Sequence, residues 1–427
     1  MGSRSGAVRF AMAVWLGLAA GRPLRGQSII SDQVPPERLV SEQDKVKTDM
    51  DNARFTLGPI RILPSFFVPN AGYNSNIFAT PEGPVGDWTA TIAAGARFLV
   101  PFASKMYLRI NAFPSYTWYA TYTDRDTVGG TYDASILGFF NHMFLEARGF
   151  YNQGYQIYSS QLPTLALTQT DGGSGNVEVK VSARISILTS GDYQDIKYTQ
   201  PGGTPAEQLQ VALNNRVDTA VRGGLRYYFT DHWNIGALVE ETWSDFKEVP
   251  ETRNNSSTGY LMTIGYNQPR FYINVTGGYR EGRAIDGSAF PHYATPTGSF
   301  FLSFFPIRWL EIQGYGHRSV DYSVTTPLQP YYYENRAGGG INVEVLSRIL
   351  LRGFAQAGPN EYPSVDPNVG TTKQQVLIYG AGISVQLIGK AVLTGTWTRN
   401  DYGTNVFGGN SYNTFIAGLS FSGELQR

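Results

Sequence analysis

From Asn176 to Ile187 the side chains separate, one residue at a time, into two sets. Val177, Val179, Val181, Ala183, Ile185 and Ile187 form an apolar set, and Asn176, Glu178, Lys180, Ser182, Arg184 and Ser186 a polar one. Successive side chains of a β-strand point to opposite faces, so this segment predicts a strand that is greasy on one side and charged on the other. The alternation recurs along nearly the whole chain in segments of about ten residues or more, the pattern of a transmembrane β-barrel. Its apolar face would meet lipid and its polar face a water-filled lumen.

Composition narrows the alternatives. A hydrophobic fraction of 42% with a mean hydropathy of −0.23 disfavours a helical membrane bundle, whose spans each need about 20 consecutive apolar residues. The 27 tyrosines, 24 phenylalanines and seven tryptophans suit the aromatic girdles of a barrel, with Trp88, Trp118, Trp233, Phe271 and Trp397 at outward positions. A soluble propeller or β-helix would carry a per-blade repeat that is missing from these segments. The formal net charge of zero gives no hint of a nucleic-acid partner. With no cysteine, thiol catalysis, thiolate metal sites and a lipoprotein anchor are excluded. No cofactor is expected.

Residues 1–26 read as a signal peptide: Arg4 and Arg9 precede the apolar run Phe10 to Ala20, which is too short to span a bilayer, and Pro23 follows. Cleavage is expected between Gly26 and Gln27. Residues 27–59 lack strand alternation. A short helix from about Pro36 to Asp51 is expected there, as a periplasmic tail or as a segment tucked into the lumen. The barrel would occupy residues 60–427.

Tight connections alternate with long ones. The tight ones are placed at Pro101 to Ser104, Asn141-His142, Thr189 to Gly191, Thr230 to His232, Asn267 to Pro269, Pro306 to Arg308, Leu346 to Arg348 and Leu387 to Lys390. Long, polar connections such as Thr121 to Gly130, Thr199 to Ala212, Pro250 to Ser257 and Arg283 to His292 lie between them. Outer-membrane barrels have short periplasmic turns and longer outer loops, so both termini should face the periplasm. The count is about 18 antiparallel up-and-down strands, falling to 16 if Asp192 to Tyr198, where alternation is poor, is a loop. Pro114, inside the third strand, predicts a local bulge.

The first strand, Gly58-Pro59-Ile60-Arg61-Ile62-Leu63-Pro64-Ser65, and the element Gly72-Tyr73-Asn74-Ser75-Asn76-Ile77-Phe78 resemble the opening of the outer-membrane β-barrel porin 2 family. The resemblance implies a bacterial outer-membrane barrel placed there by the barrel-insertion machinery. It also implies an association with exopolysaccharide or capsule genes, hence a role in passing polysaccharide. It supplies no catalytic residues.

Projecting the alternation inward gives a candidate lumen lining. Arg97, Arg109, Arg148, Arg184, Arg222 and Arg226 come from the first half, and Arg280, Arg336 and Arg352 from the second. The inward acids include Glu146, Glu178, Asp218, Glu311, Glu334 and Glu344. Arginines facing acids across a lumen set up a transverse field that tunes selectivity, here with a modest bias toward anions or acidic sugars. Cross-strand pairing that merely keeps the lumen wet and rigid fits the same pattern. Inward rings (Tyr107, Phe113, Phe150, Tyr228, Tyr272, Tyr315) could stack on sugars or fill space.

Passage of hydrophilic solutes or polysaccharide is therefore the expected function, with no enzymatic activity. A non-conducting structural or adhesive barrel is the alternative. An outer-membrane lipid hydrolase built on His317 and Ser319 is the least favoured reading, because that face points into the lumen. The other histidines have no metal-ligand spacing.

Overall fold

In a computed structural model of the chain, the alternating segments become strands that each pair antiparallel with the next in sequence, and the last pairs with the first. The described residues are 42–78, 84–157, 159–161, 165–323, 329–346, 348–363, 371–387, 391–403 and 409–422. The expected signal peptide and the tight turn at Leu387 to Lys390 lie wholly or largely outside them.

The helix α1 (Glu42–Asn52) leads into a three-residue strand β1 (Phe55–Leu57), which turns back onto the barrel. The first half of the barrel comprises β2 (Ile60–Asn74), β3 (Asp87–Ala103), β4 (Met106–Tyr119), β5 (Thr127–Phe139), β6 (Met143–Ile157), β7 (Leu165–Lys180), β8 (Ile185–Thr199), β9 (Arg216–Tyr228) and β10 (Trp233–Phe246). The second half comprises β11 (Asn255–Gln268), β12 (Phe271–Ala284), β13 (Tyr293–Ile307), β14 (Leu310–Tyr322), β15 (Tyr331–Val345), β16 (Ile349–Tyr362), β17 (Thr372–Gln386), β18 (Ala391–Tyr402) and β19 (Asn410–Ser422). Strands β2 to β19 close an 18-strand barrel. Closure leaves no strand edge unpaired, which a backbone in lipid requires. Short turns gather at one end and the longer loops at the other. We number these loops L1 to L9 in chain order.

Asp192 to Tyr198 belongs to β8, so the count is 18 and not 16. The tight turn expected at Thr189 to Gly191 is not there. The chain reverses at Val181 to Arg184, and Thr189 to Gly191 lie inside β8. Ser182 Oγ accepts from the amides of Arg184 and Ile185, both at 3.2 Å, which closes the turn. The alternation runs unbroken through this hairpin for a geometric reason. Facing residues there have numbers of the same parity, Val179 with Ile187 and Lys180 with Ser186, so the outward set stays odd on both sides of the turn. Two strands therefore read as one.

Pro114 is a second correction. The β3–β4 register is the same on either side of it, so it makes no bulge. A proline removes one hydrogen bond from the ladder without inserting a residue. Opposite it lies Gly130 at φ 145°, where a Cβ would sit 2.6 Å from the Phe113 carbonyl oxygen. Among the described residues, register shifts occur instead at Phe67/Asn70, Pro101/Ala103 and Phe304/Ile307, stretches that contain Pro69, Pro101 and Pro306, and at Ala417/Leu419, opposite the stretch of β2 that holds Pro69. A residue without an N–H fits best where the ladder already skips.

The outer face is the expected apolar belt. Trp88, Ile92, Ile136, Ile187, Val221, Leu225, Val239, Met262, Ile264, Phe300, Ile341 and Leu393 are all exposed, and on a closed barrel they are exposed to lipid. No helix among the described residues is long and apolar enough to cross a membrane. The strands make the crossing.

Candidate functional site

Strand register carries one polar face around the lumen. Arg109 faces Ser135, Ser135 faces Arg148, and Arg148 faces Ser174. Further round, Ser190 faces Arg222, Arg222 faces Glu240, Glu240 faces Gly259, and Gly259 faces Arg280. The same phase places Arg97, Arg226, Arg336, Arg352, Glu146, Glu178 and Glu311 on inward positions. Arg184 is the exception. It sits in the tight turn between β7 and β8, because the hairpin reverses there.

The five inward arginines of the first half each stand beside an acid. Arg97 Nη1 lies 2.6 Å from Asp49, Arg148 Nη2 3.3 Å from Asp133, and Arg226 Nη1 4.0 Å from Glu178. Arg109 reaches both Glu42 (3.2 Å) and Glu146 (3.3 Å). Arg222 bridges Asp192 and Glu240, and Glu240 in turn holds Arg280. In the second half Glu311 accepts from Ser303 Oγ (2.5 Å) and Asn342 Nδ2 (3.0 Å), and Arg336 lies 3.5 Å from Glu334. The lining is thus a mosaic of cross-strand pairs. Strong fields persist only within an ion pair, because salt screens beyond about 8 Å.

Inward rings serve as packing. Phe113 meets Phe67 at 5.4 Å, Tyr107 meets Phe139 at 5.8 Å, and Phe150 lies under the Arg148 guanidinium at 5.5 Å. Tyr272, Phe301 and Tyr315 form a buried cluster. His317 turns to Glu334, 3.7 Å away, and not to Ser319, so the pair required for the hydrolase reading does not form.

The loop end holds what the sequence reading missed. Ser159 to Gln161, the described part of L3 between β6 and β7, lie against the opposite wall, half of the ring away. Ser160 Oγ shares a 2.5 Å hydrogen bond with the Tyr332 hydroxyl of β15, and Asn360 Nδ2 of β16 donates to the Ser160 carbonyl at 3.0 Å. Asn360 Oδ1 in turn accepts from Arg336 Nη2 at 2.7 Å. Ser159, Ser160 and Gln161 are at most 1% exposed.

The loop-side end of β14 leans in to meet L3. Beyond Arg318, β14 is no longer paired with β13, and the Tyr322 hydroxyl donates to Ser244 Oγ of β10 (2.8 Å) and Asn255 Oδ1 of β11 (3.1 Å). Directly after β14, Ser323 is fully buried. Its hydroxyl accepts from Gln161 Nε2 of L3 (3.1 Å), and its carbonyl accepts from Arg253 Nη2.

Arg253 ends the short helix α3 (Pro250–Arg253) in L5 and also donates to Leu213 O (3.1 Å) and Asn214 Oδ1 (3.3 Å) in L4. Burial, with the Arg216 guanidinium nearby, pulls its pKa down to about 10. L4 carries the helix α2 (Pro205–Ala212), which begins with a capping box between Thr204 and Glu207. Its Val211 packs on Ala166, Ile196 and Tyr198. Thr204-Pro205-Ala206-Glu207 was a legible helix start. The residues that knit the loops together carry no local sequence signal.

No protein-family model and no curated protein matches the chain. Solved structures do match in fold. The outer membrane protein OpdK of Pseudomonas aeruginosa superposes with a TM-score of 0.51 at 8% identity, covering 84% of this chain and 98% of that one. A BenF-like porin from Pseudomonas fluorescens Pf-5 gives 0.52 at 11%, with the same coverage. Pseudomonas aeruginosa OccK2 (OpdF) in complex with glucuronate gives 0.50 at 11%, again with the same coverage. The fold is that of the outer-membrane porins, and the apolar belt is the surface such a barrel turns to the bacterial outer membrane.

Proposed function

We propose that the chain is a porin that passes small hydrophilic solutes, sugar acids among them, through a lumen lined with paired charges and narrowed by L3. The observation that carries this reading is the docking of Ser160 and Gln161 on Tyr332, Asn360 and Ser323, across a wall laid with arginine–carboxylate pairs. A charged lumen with a fixed constriction suits a hydrated small molecule, and guanidinium forks suit its carboxylate. A fold neighbour holding glucuronate supports the same solute class. Passage needs no catalytic group.

Polysaccharide passage, which the porin 2 resemblance implies, is the second reading. It rests on Gly58 to Phe78 and would require the L3 constriction to clear for a polymer.

Reconstituted in proteoliposomes, the protein should admit glucuronate and monosaccharides and retain long polysaccharide chains, as measured by osmotic swelling. Swelling with neither class would defeat the solute reading, and polymer release at a comparable rate would favour export.

Orientation has its own check. A cysteine replacing the exposed Ala206 of L4 should react with an impermeant maleimide on intact cells, and one replacing Ser104 in a tight turn should not. The opposite pattern would invert the barrel.

A further inference from the structure

The wall of a water-filled pore gives apolar side chains no advantage unless something covers them. At the turn end, however, inward positions on five adjoining strands carry Leu63, Leu99, Tyr107, Leu137, Phe139 and Phe144. Leu99 and Leu137 are fully buried there. The cover is α1. Val46 packs into this patch at 2% exposure, with Met50 and Ala53 beside it.

The polar side of α1 is matched to the wall as well. Asp49 pairs with Arg97 at 2.6 Å and Glu42 with Arg109 at 3.2 Å. Acidic residues in the first turn, Glu42 and Asp44, complement the helix dipole. With four acids (Glu42, Asp44, Asp49, Asp51) against Lys45 and Lys47, the helix has a net charge of −2.

We propose that α1 is a selectivity-setting element seated in the turn-end mouth of the pore, where Glu42 and Asp49 offset the wall arginines Arg97 and Arg109. This rests on the reading of the lumen as a conducting path and adds to it a residue-level account of ion preference. Arg109 keeps Glu146 (3.3 Å) when Glu42 is lost. Arg97 also donates to Asn111 Oδ1 at 2.9 Å, a neutral oxygen that does not replace the charge of Asp49. The wall beneath α1 therefore becomes more positive when the helix acids are removed or the helix leaves.

The test is planar-bilayer recording of the full-length protein in a potassium chloride gradient. Folding of each variant is checked by heat-modifiable migration on gels. E42Q/D49N should raise the chloride-to-potassium permeability ratio by about twofold, more at low salt where screening is weakest. V46D, which puts a carboxylate into the apolar seat, should unseat the helix, raise conductance and shift the reversal potential in the same direction. A folded parent that carries no current alongside a V46D variant that does would mean that the seated helix seals the mouth, which overturns its role in setting selectivity. If both variants match the parent in conductance and reversal potential, the inference is overturned and the passage reading stands. If neither the parent nor V46D conducts although both are folded, the passage reading fails and this inference with it.

Discussion

Replacing Arg253 with alanine should loosen the whole loop end and raise single-channel conductance. Arg253 is 2% exposed and donates to the Ser323 carbonyl at the end of β14, the Leu213 carbonyl and Asn214 Oδ1. Hydrogen bonds to a charged group contribute about 1.5–3 kcal/mol each, and stranded buried acceptors add to the loss. Three such bonds hold L4, L5 and L7 in one unit, and Ser323 passes that hold on to L3 through Gln161. The packing of the guanidinium on Phe246, 5.5 Å away, is lost too. Arg253→Lys keeps the charge without the planar fork, so it should restore only part of the effect. The barrel itself should remain intact, as judged by migration on gels, while proteolysis within L4 accelerates. Unchanged conductance together with unchanged proteolysis would show that the loops hold their positions without this residue.

The second large effect is expected at Glu240. Its two oxygens hold Arg222 on the adjacent strand β9 and Arg280 on β12, beyond β11, and Arg222 also reaches Asp192. Glu240→Gln keeps the shape and removes the charge that separates two guanidinium groups. Breaking a largely buried pair in this way costs about 3–5 kcal/mol when nothing compensates; water in the lumen will reduce that figure. The variant should unfold at lower denaturant concentration and shift the reversal potential toward chloride. Asp192 remains beside Arg222, so the net gain of one positive charge falls mainly on Arg280. A cation-ward shift, or no shift in either quantity, would mean that the pair contributes to neither selectivity nor stability.

The same pairs show how far the sequence could be read. Inward placement followed from alternation alone, because a two-residue period assigns each side chain to a face before any partner is known. Which acid meets which arginine depends on register between strands, and the alternation carries no register information. Arg222, Asp192 and Glu240 are 18 to 48 positions apart in the chain and adjacent only once β8, β9 and β10 are aligned. The turn at Val181 to Arg184 was hidden by the parity of its own hairpin, which is also why Arg184 was taken for a wall residue. The loop end was the least legible part. Ser160 and Tyr332 are 172 residues apart, and nothing local to either marks the other. Helix α2 is different: its capping box was in plain view within a connection read only as long and polar.

One consequence of the L3 contact is mechanical. A closed ring of 18 strands resists stretching along its hydrogen bonds but yields easily to flattening, since squashing a circle into an ellipse bends every hinge a little and breaks none. Ser160 of L3, held by Tyr332 and Asn360 half of the ring away from β6, ties one side of the ring to the other. Lateral pressure from the surrounding membrane then meets a member loaded end to end, and the cross-section at that height keeps its proportions. A ring tied across in this way keeps its shape when the sheet around it is squeezed.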